Sequence, residues 1–207
     1  MNQVGSFGSS LSVDISKMVA SGDIQTLIQM VQGERVRLLD TQLVDQVKAV
    51  QDRNDKIAAL NEVLSGLNAY AGQIDGTSAT SKPGSWPADS IANIERPLNS
   101  QIQQLGIDLN LSSRSGLANP LPGKQPDPGR SGTVVTGTNV INGSTTKGEI
   151  DAAITKVKGL IDAESNNQQM DMLRLQSLNN KKNESIEILT NTQKKSSDSN
   201  SGIIRNF

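Results

Sequence analysis

The stretch that decides the fold is residues 34–74, which read ERVRLLDTQLVDQVKAVQDRNDKIAALNEVLSGLNAYAGQI and contain no proline. Every seventh position from the third residue of this stretch is apolar: Val36, Leu43, Val50, Ile57, Leu64 and Ala71. Three residues after each of these come Leu39, Gln46, Arg53, Leu60, Leu67 and Ile74, of which four are apolar. Such a recurrence is typical of a coiled-coil seam, and at ~1.5 Å per residue it predicts a helical rod of about 60 Å.

A second helical region is predicted in the C-terminal part of the chain. Thr146 is followed three residues later by Glu149, the spacing of a capping box at a helix start. A stripe on one helix face follows and predicts the partner of the first seam: Ile150, Ile154, Val157 and Ile161. The stripe fades through residues 165–169 and then returns at Met172, Leu175, Leu178, Ile186 and Leu189.

Proline and glycine divide the chain into segments. All seven prolines lie between Pro83 and Pro128, and proline breaks helices because it lacks a donor and clashes with the preceding turn. We therefore predict four segments: a disordered segment at 1–22, an N-terminal coiled-coil helix at 23–74, a Pro/Gly-rich insert at 75–147, and a C-terminal coiled-coil helix at 148–207. Gly33 marks either a break or a weak point in the first helix.

Small elements are predicted inside the insert. A short helix has Pro97 near its start and Gly106 after its end. Alternating apolar residues over 107–111 indicate a strand, and residues 133–141 indicate a hairpin that turns at Gly137 and Thr138. Residues 119–132 are predicted to be a surface loop. The predicted fold is mainly α: a long antiparallel helical hairpin (coiled coil) with a small, loop-rich α+β insert at the turn.

Composition excludes most chemistry. The chain of 207 residues has no histidine and no cysteine, so zinc sites, Cys or Ser-His nucleophiles and disulfides are ruled out. Its formal net charge of −1 argues against a nucleic-acid partner, and no apolar run is long enough for a membrane span. The N-terminus has no basic or apolar region of a cleaved secretory signal.

Paired carboxylates are the remaining catalytic option. Asp52 with Asp55, and Glu184 with Glu187, are three residues apart on predicted helices rich in opposite charge. Such residues are most simply solvated ion pairs on a helix surface. We therefore predict a protein that is not an enzyme and has no catalytic, metal or cofactor site.

Assembly is the function that the architecture favours. A two-helix hairpin buries too little apolar surface to be robust, and only 34% of the residues are hydrophobic. Trp86, the single tryptophan, either anchors the insert on the rods or contacts a partner. We predict that the following residues are buried between subunits: Met172, Leu175, Leu178, Ile186, Leu189, Ile203, Ile204 and Phe207.

The layout of the chain resembles a known family. Residues 169–207, QMDMLRLQSLNNKKNESIEILTNTQKKSSDSNSGIIRNF, carry the pattern of secreted helical proteins at Met170, Met172, Leu175, Gln176, Asn179, Lys182 and Asn183. With the Ser/Gly-rich N-terminus and the two predicted rods, this segment is similar to the extracellular filament proteins of bacterial type III secretion systems. These are the EspA-type sheath filaments and the Bordetella tip filament protein. The Pro-rich segment and the size of the insert are not matched in that pattern.

The resemblance implies a hollow helical filament on a secretion needle, through which unfolded effectors pass. It implies a secreted protein on the bacterial cell surface, with needle and translocator proteins as partners and a cytoplasmic secretion chaperone before export. It also implies that the disordered segment 1–22 is the export segment. The absence of disulfides suits a chain that is exported unfolded. Two alternatives stay open: a needle-tip protein that does not polymerise, and an intracellular coiled-coil adaptor.

Overall fold

The computed structural model describes residues 24–119 and 133–205 of the chain. This part is mainly helical, with two long helices that pack against each other and a small two-stranded sheet. The elements in chain order are α1 (Ile24–Ala71), α2 (Ala88–Ser90), a π-helical turn (Ile91–Glu95), α3 (Arg96–Leu105), β1 (Arg114–Ala118), β2 (Thr133–Gly137) and α4 (Lys147–Arg205). The predicted excess of helix is confirmed.

The two long helices follow from local signals. Helix α1 continues through Gly33, so this glycine is a weak point and not a break; a glycine inside a helix costs about 1 kcal/mol relative to alanine. Helix α4 begins with the predicted capping box. The Thr146 backbone N–H donates to Glu149 Oε2 at 2.9 Å, and the Glu149 N–H donates back to Thr146 Oγ1 at 3.4 Å.

The chain divides into two compact units. Unit 1 consists of Met1–Val50 with Met170–Phe207, and unit 2 consists of Gln51–Gln169. Each unit therefore contains part of α1 and part of α4, and unit 2 contains the whole insert between them. The predicted segment 1–22 lies outside the described residues.

The described residues of unit 2 form a hydrophobic core. Leucines of α1 pack there with the insert and with the first turns of α4, and the members include Leu60, Leu67, Leu98, Ile141 and Ile150. The predicted short helix is confirmed as α3: a proline lies in its first turn, and Gly106 ends it in the left-handed conformation with φ +60°. Buried Asn99 of α3 donates to the backbone carbonyl of Ile141 at 2.9 Å and accepts from its N–H at 2.8 Å.

The sheet differs from the prediction. Strands β1 and β2 pair antiparallel, with Arg114 opposite Gly137 and Ala118 opposite Thr133. The predicted hairpin over 133–141 is wrong, because the backbone of Ile141 bonds to the side chain of Asn99 and not to another strand.

The predicted strand at 107–111 is also wrong. Asn139 has φ +65°, and its Oδ1 accepts the N–H of Leu109 at 2.8 Å and that of Leu111 at 3.5 Å. Both leucines are buried in the core of unit 2. The alternation over 107–111 therefore reflects a segment in which every second side chain is buried. The backbone of this segment donates hydrogen bonds to the side chain of Asn139 and not to a neighbouring strand.

Unit 1 contains polar contacts between α1 and α4 and little fully buried apolar surface. Lys182 Nζ lies 2.6 Å from Asp40 Oδ1, and Gln46 donates to the backbone carbonyl of Asp171 at 3.4 Å. Among the described residues of this unit, Leu39 is the one buried apolar side chain, at 7% exposure. The two units thus differ sharply in how much apolar surface they bury.

Candidate functional site

The candidate site is the set of exposed apolar side chains on unit 1, which lie on more than one face of its helices. Within the described ranges, eleven large hydrophobic side chains are exposed, and all but Val134 belong to unit 1. We call these ten residues the unit 1 apolar surface: Ile24, Ile28, Val31, Leu38, Val44, Val47, Met170, Met172, Leu173 and Ile186. A clustering of exposed apolar residues in one part of a chain is typical of a protein–protein contact.

The α1 part of this surface includes an ordered stripe. Ile24, Ile28, Val31 and Leu38 are separated by four, three and seven residues, and this spacing places them on one face of a helix. Leu38 is 52% exposed, whereas its neighbour Leu39, about 100° further round the helix, is buried. The exposed stripe is therefore distinct from the seam by which α1 packs against α4 within unit 1.

The predicted seam residues lie on the packed side of the helices. Val36, Leu43, Val50, Ile57 and Leu64 of α1 are half-buried, as are Ile154 and Ile161 of α4; Ile150 and Val157 of α4 are fully buried. Among the positions three residues after the α1 set, Leu39, Leu60 and Leu67 are buried more deeply, whereas Gln46, Arg53 and Ile74 are half-buried. The coiled coil itself stays a prediction.

The predicted self-assembly residues fall into three groups. Met172 and Ile186 are exposed, and Leu175, Leu178 and Leu189 are half-buried. Phe207 and the side chains of Ile203 and Ile204 lie outside the described part of the structure. The role of these residues in assembly stays a prediction.

Several exposed residues escaped the sequence reasoning. The sequence pattern does not predict a partner contact for Val44, Val47, Met170 or Leu173, because these apolar residues lie beside the repeat positions and do not belong to the repeat. The available signal was the excess of apolar residues at positions beside the seam, such as Val44 next to Leu43.

The packing between α1 and α4 inside unit 1 carries several polar groups. Asp171 is 7% exposed, and Ser185 is fully buried with its hydroxyl donating to the Lys181 carbonyl at 2.8 Å. Polar groups at such positions set the register of paired helices at a cost in stability. The ion pair between Lys182 and Asp40 is partly exposed, and exposed pairs contribute only ~0–1 kcal/mol.

Trp86 makes its contacts inside unit 2. Its ring lies on Tyr70, with centroids 4.8 Å apart and planes tilted by 51°. Its Nε1 donates to the buried carboxylate of Glu95 at 2.5 Å, and Glu95 also accepts the N–H of Leu117 at 2.7 Å. Gly143 lies so close to the indole that an added Cβ would sit 2.6 Å from it. This geometry anchors the segment before α2 on α1, and a partner contact at Trp86 stays a prediction.

The most perturbed acid in unit 2 is a helix cap. Burial alone would raise the pKa of Glu149, but hydrogen bonds from Thr146, Ser112 and Arg114 outweigh it and lower the pKa from 4.5 to about 2. All of these donors belong to residues that fix the start of α4 or the start of β1. A carboxylate held ionised in this way stabilises structure and is unsuited to donating a proton.

The groups that chemistry would need are dispersed. Within residues 24–119 and 133–205, no cluster of three or more acidic side chains is placed to hold a metal ion. Asp52, Asp55, Glu184 and Glu187 are all exposed, and Asp55 accepts a hydrogen bond from Gln51 at 2.9 Å. A cleft of about 270 Å³ between α3 and the segment after β2 is lined by one ionisable residue, Asp108.

Neither known protein families, nor characterised proteins, nor solved structures contain a match to this chain. In the described ranges, none of the helices combines the length and the hydrophobicity that crossing a bilayer requires. Among the described residues, the feature that bears on function is the set of exposed apolar side chains on unit 1.

Proposed function

We propose that this chain is a structural subunit that self-assembles through the unit 1 apolar surface. The observation that carries the proposal is the segregation of exposed apolar residues: ten of the eleven in the described ranges lie on unit 1. Burying one such side chain contributes about 1.5–3 kcal/mol, so a few of them repeated at each subunit are enough to hold an assembly together.

The packing of the long helices supports an antiparallel hairpin as the assembling element. In unit 1, Asp40 contacts Lys182 and Gln46 contacts Asp171. The partner on α4 moves towards the start of α4 as the position on α1 moves towards its end, which is the order of antiparallel helices. The same order holds in unit 2, where Arg53 and Lys56 both contact Glu164, and Tyr70 donates to the Thr145 carbonyl at 2.9 Å. The seven-residue recurrence along α1 favours a coiled coil for this pairing.

The sequence resemblance supplies the biological setting of the proposal. An assembly of this subunit is a hollow extracellular filament on a type III secretion needle, and it conducts unfolded effectors. Its partners are further copies of itself, the needle and translocator proteins, and a cytoplasmic chaperone that covers the apolar surface before export. Residues 169–207, which carry the resemblance, include four of the ten residues of that surface.

Self-assembly is tested with charge substitutions at exposed positions. Leu38→Glu and Leu173→Glu each place a charge on the unit 1 apolar surface, and both substituted side chains are more than half exposed. Ala58→Glu is the matched control, because Ala58 is exposed on the part of α1 that belongs to unit 2. Light scattering and negative-stain electron microscopy of the purified proteins give the assembly state, and circular dichroism gives the helix content.

We expect filaments of indefinite length from the natural chain and from Ala58→Glu, and folded monomers from the other two variants. A discrete ring from the natural chain would favour the needle-tip protein. A monomer at all concentrations, with no secretion of a reporter fused to residues 1–22, would favour the intracellular adaptor. Filaments that persist in both charge variants would exclude the unit 1 apolar surface as the interface.

A further inference from the structure

The burial of apolar residues is distributed very unevenly between the two units. Of fifteen apolar side chains that are buried in the described ranges, Leu39 alone belongs to unit 1, which leaves fourteen in unit 2. Because apolar burial is the dominant favourable contribution to folding, the helical segments of unit 1, whose apolar residues are mostly half-buried or exposed, gain less of this stability than unit 2 does. Isolated helices are marginal in water unless one face is packed against a neighbour.

We infer that the chain unfolds in two steps, with the unit 1 segments 24–50 and 170–205 losing their helical structure while unit 2 stays folded. Two described contacts between α1 and α4 in unit 1 are replaceable by water: a partly exposed ion pair from Lys182 to Asp40, and a 3.4 Å hydrogen bond from Gln46 to the Asp171 carbonyl.

Unit 2 is closed by contacts that span the whole unit. Tyr70 of α1 donates its hydroxyl to carbonyls just before α4, at 2.7 Å for Asn142 and 2.9 Å for Thr145. The first N–H groups of α4 donate to Ser81 and Ala79 at 2.8 Å each, so even the start of this helix is satisfied by the insert. Regions of low burial open locally at a smaller free energy than the core, and unit 1 has the features of such a region.

A single natural probe separates the two steps. Trp86 is the one tryptophan of the chain and packs on Tyr70, so its fluorescence reports unit 2. Far-ultraviolet circular dichroism reports the helices of both units. Urea titration of the full chain, diluted until light scattering gives a monomer, should show the dichroism signal falling at a lower urea concentration than the Trp86 signal. Coincident transitions would overturn the inference.

Two leucine variants provide the matched comparison. Leu39→Ala removes the one buried apolar side chain described in unit 1, and Leu60→Ala makes the same change in the core of unit 2. Leu39→Ala should move the first dichroism transition to lower urea and leave the Trp86 midpoint unchanged, whereas Leu60→Ala should move the Trp86 midpoint. An equal shift of that midpoint by both variants would show a single cooperative unit.

Hydrogen exchange of the full chain locates the opening without any substitution. Peptides from 24–50 and 170–195 should exchange at least about 100-fold faster than peptides from 56–70 and 150–161, because only the second pair lies in the buried core. Uniform protection along α1 and α4 would refute the two-step model. These outcomes concern the monomer, so the two-step model and the proposed filament function can fail independently.

Discussion

Glu149 provides the sharpest quantitative prediction for unit 2. Its Oε2 accepts the N–H of Thr146 at 2.9 Å and the hydroxyl of Thr146 at 3.0 Å, and its Oε1 accepts the N–H of Ser112 at 3.2 Å and a guanidinium N–H of Arg114. The side chain is only 19% exposed, so these interactions are weakly screened by solvent. Glu149→Gln keeps the size and the acceptor oxygen but removes the charge opposite Arg114.

The magnitude follows from the pKa. Burial alone would raise the pKa of Glu149, but its hydrogen bonds hold it at about 2 in the folded chain, against an ordinary value of 4.5. The folded-state and ordinary pKa values differ by about 2.5. At ~1.4 kcal/mol per pKa unit, this difference corresponds to about 3 kcal/mol of stability. Because the folded-state pKa is lowered, this stability is fully present above pH ~4.5 and is lost as the pH falls towards 2.

The assay is urea unfolding followed by Trp86 fluorescence at pH 7, 5 and 3. We expect Glu149→Gln to be about 3 kcal/mol less stable than the natural chain at pH 7 and only about 1 kcal/mol less stable at pH 3. Asp162→Asn, at an exposed position of α4 in unit 2, is the control and should leave the Trp86 midpoint of the natural chain unchanged. A deficit for Glu149→Gln that is the same at pH 7 and pH 3 would refute the role given to its charge.

Three further predictions concern the core of unit 2. Asn99→Ala should lower the free energy of unfolding by about 2–3 kcal/mol in urea titration, because it leaves the Leu117 carbonyl and the backbone N–H and carbonyl of Ile141 without the hydrogen bonds that the Asn99 amide makes. Gly143→Ala should shift the emission of Trp86 and lower its urea midpoint, since the new Cβ would lie 2.6 Å from the indole; an unchanged spectrum would contradict this packing. Burial raises the pKa of Tyr70 from 10.0 to about 12, so ultraviolet titration should show no tyrosinate in the folded chain near pH 10, and stability should fall as the pH rises from about 10 to about 12.

The sequence by itself determined the elements whose signals are local. The period along residues 34–74 indicated α1, and Thr146 with Glu149 marked the start of α4 within one residue of the observed Lys147. Pro97 and Gly106 marked the bounds of α3 in the same way. Caps and periods act over three to seven residues, so neighbouring letters of the sequence are enough to read them.

Only the tertiary structure decided which side chains partner each other across the insert. The side chain of Asn99 hydrogen-bonds to the backbone of Ile141, forty-two residues away in the sequence. Strand β2 pairs with β1 and not with residues 138–141. The same holds for the candidate site: Leu38 and Leu39 are identical letters, yet one is 52% exposed and the other 7%. Burial depends on which distant segment covers a residue, and one chain's local pattern does not contain that information.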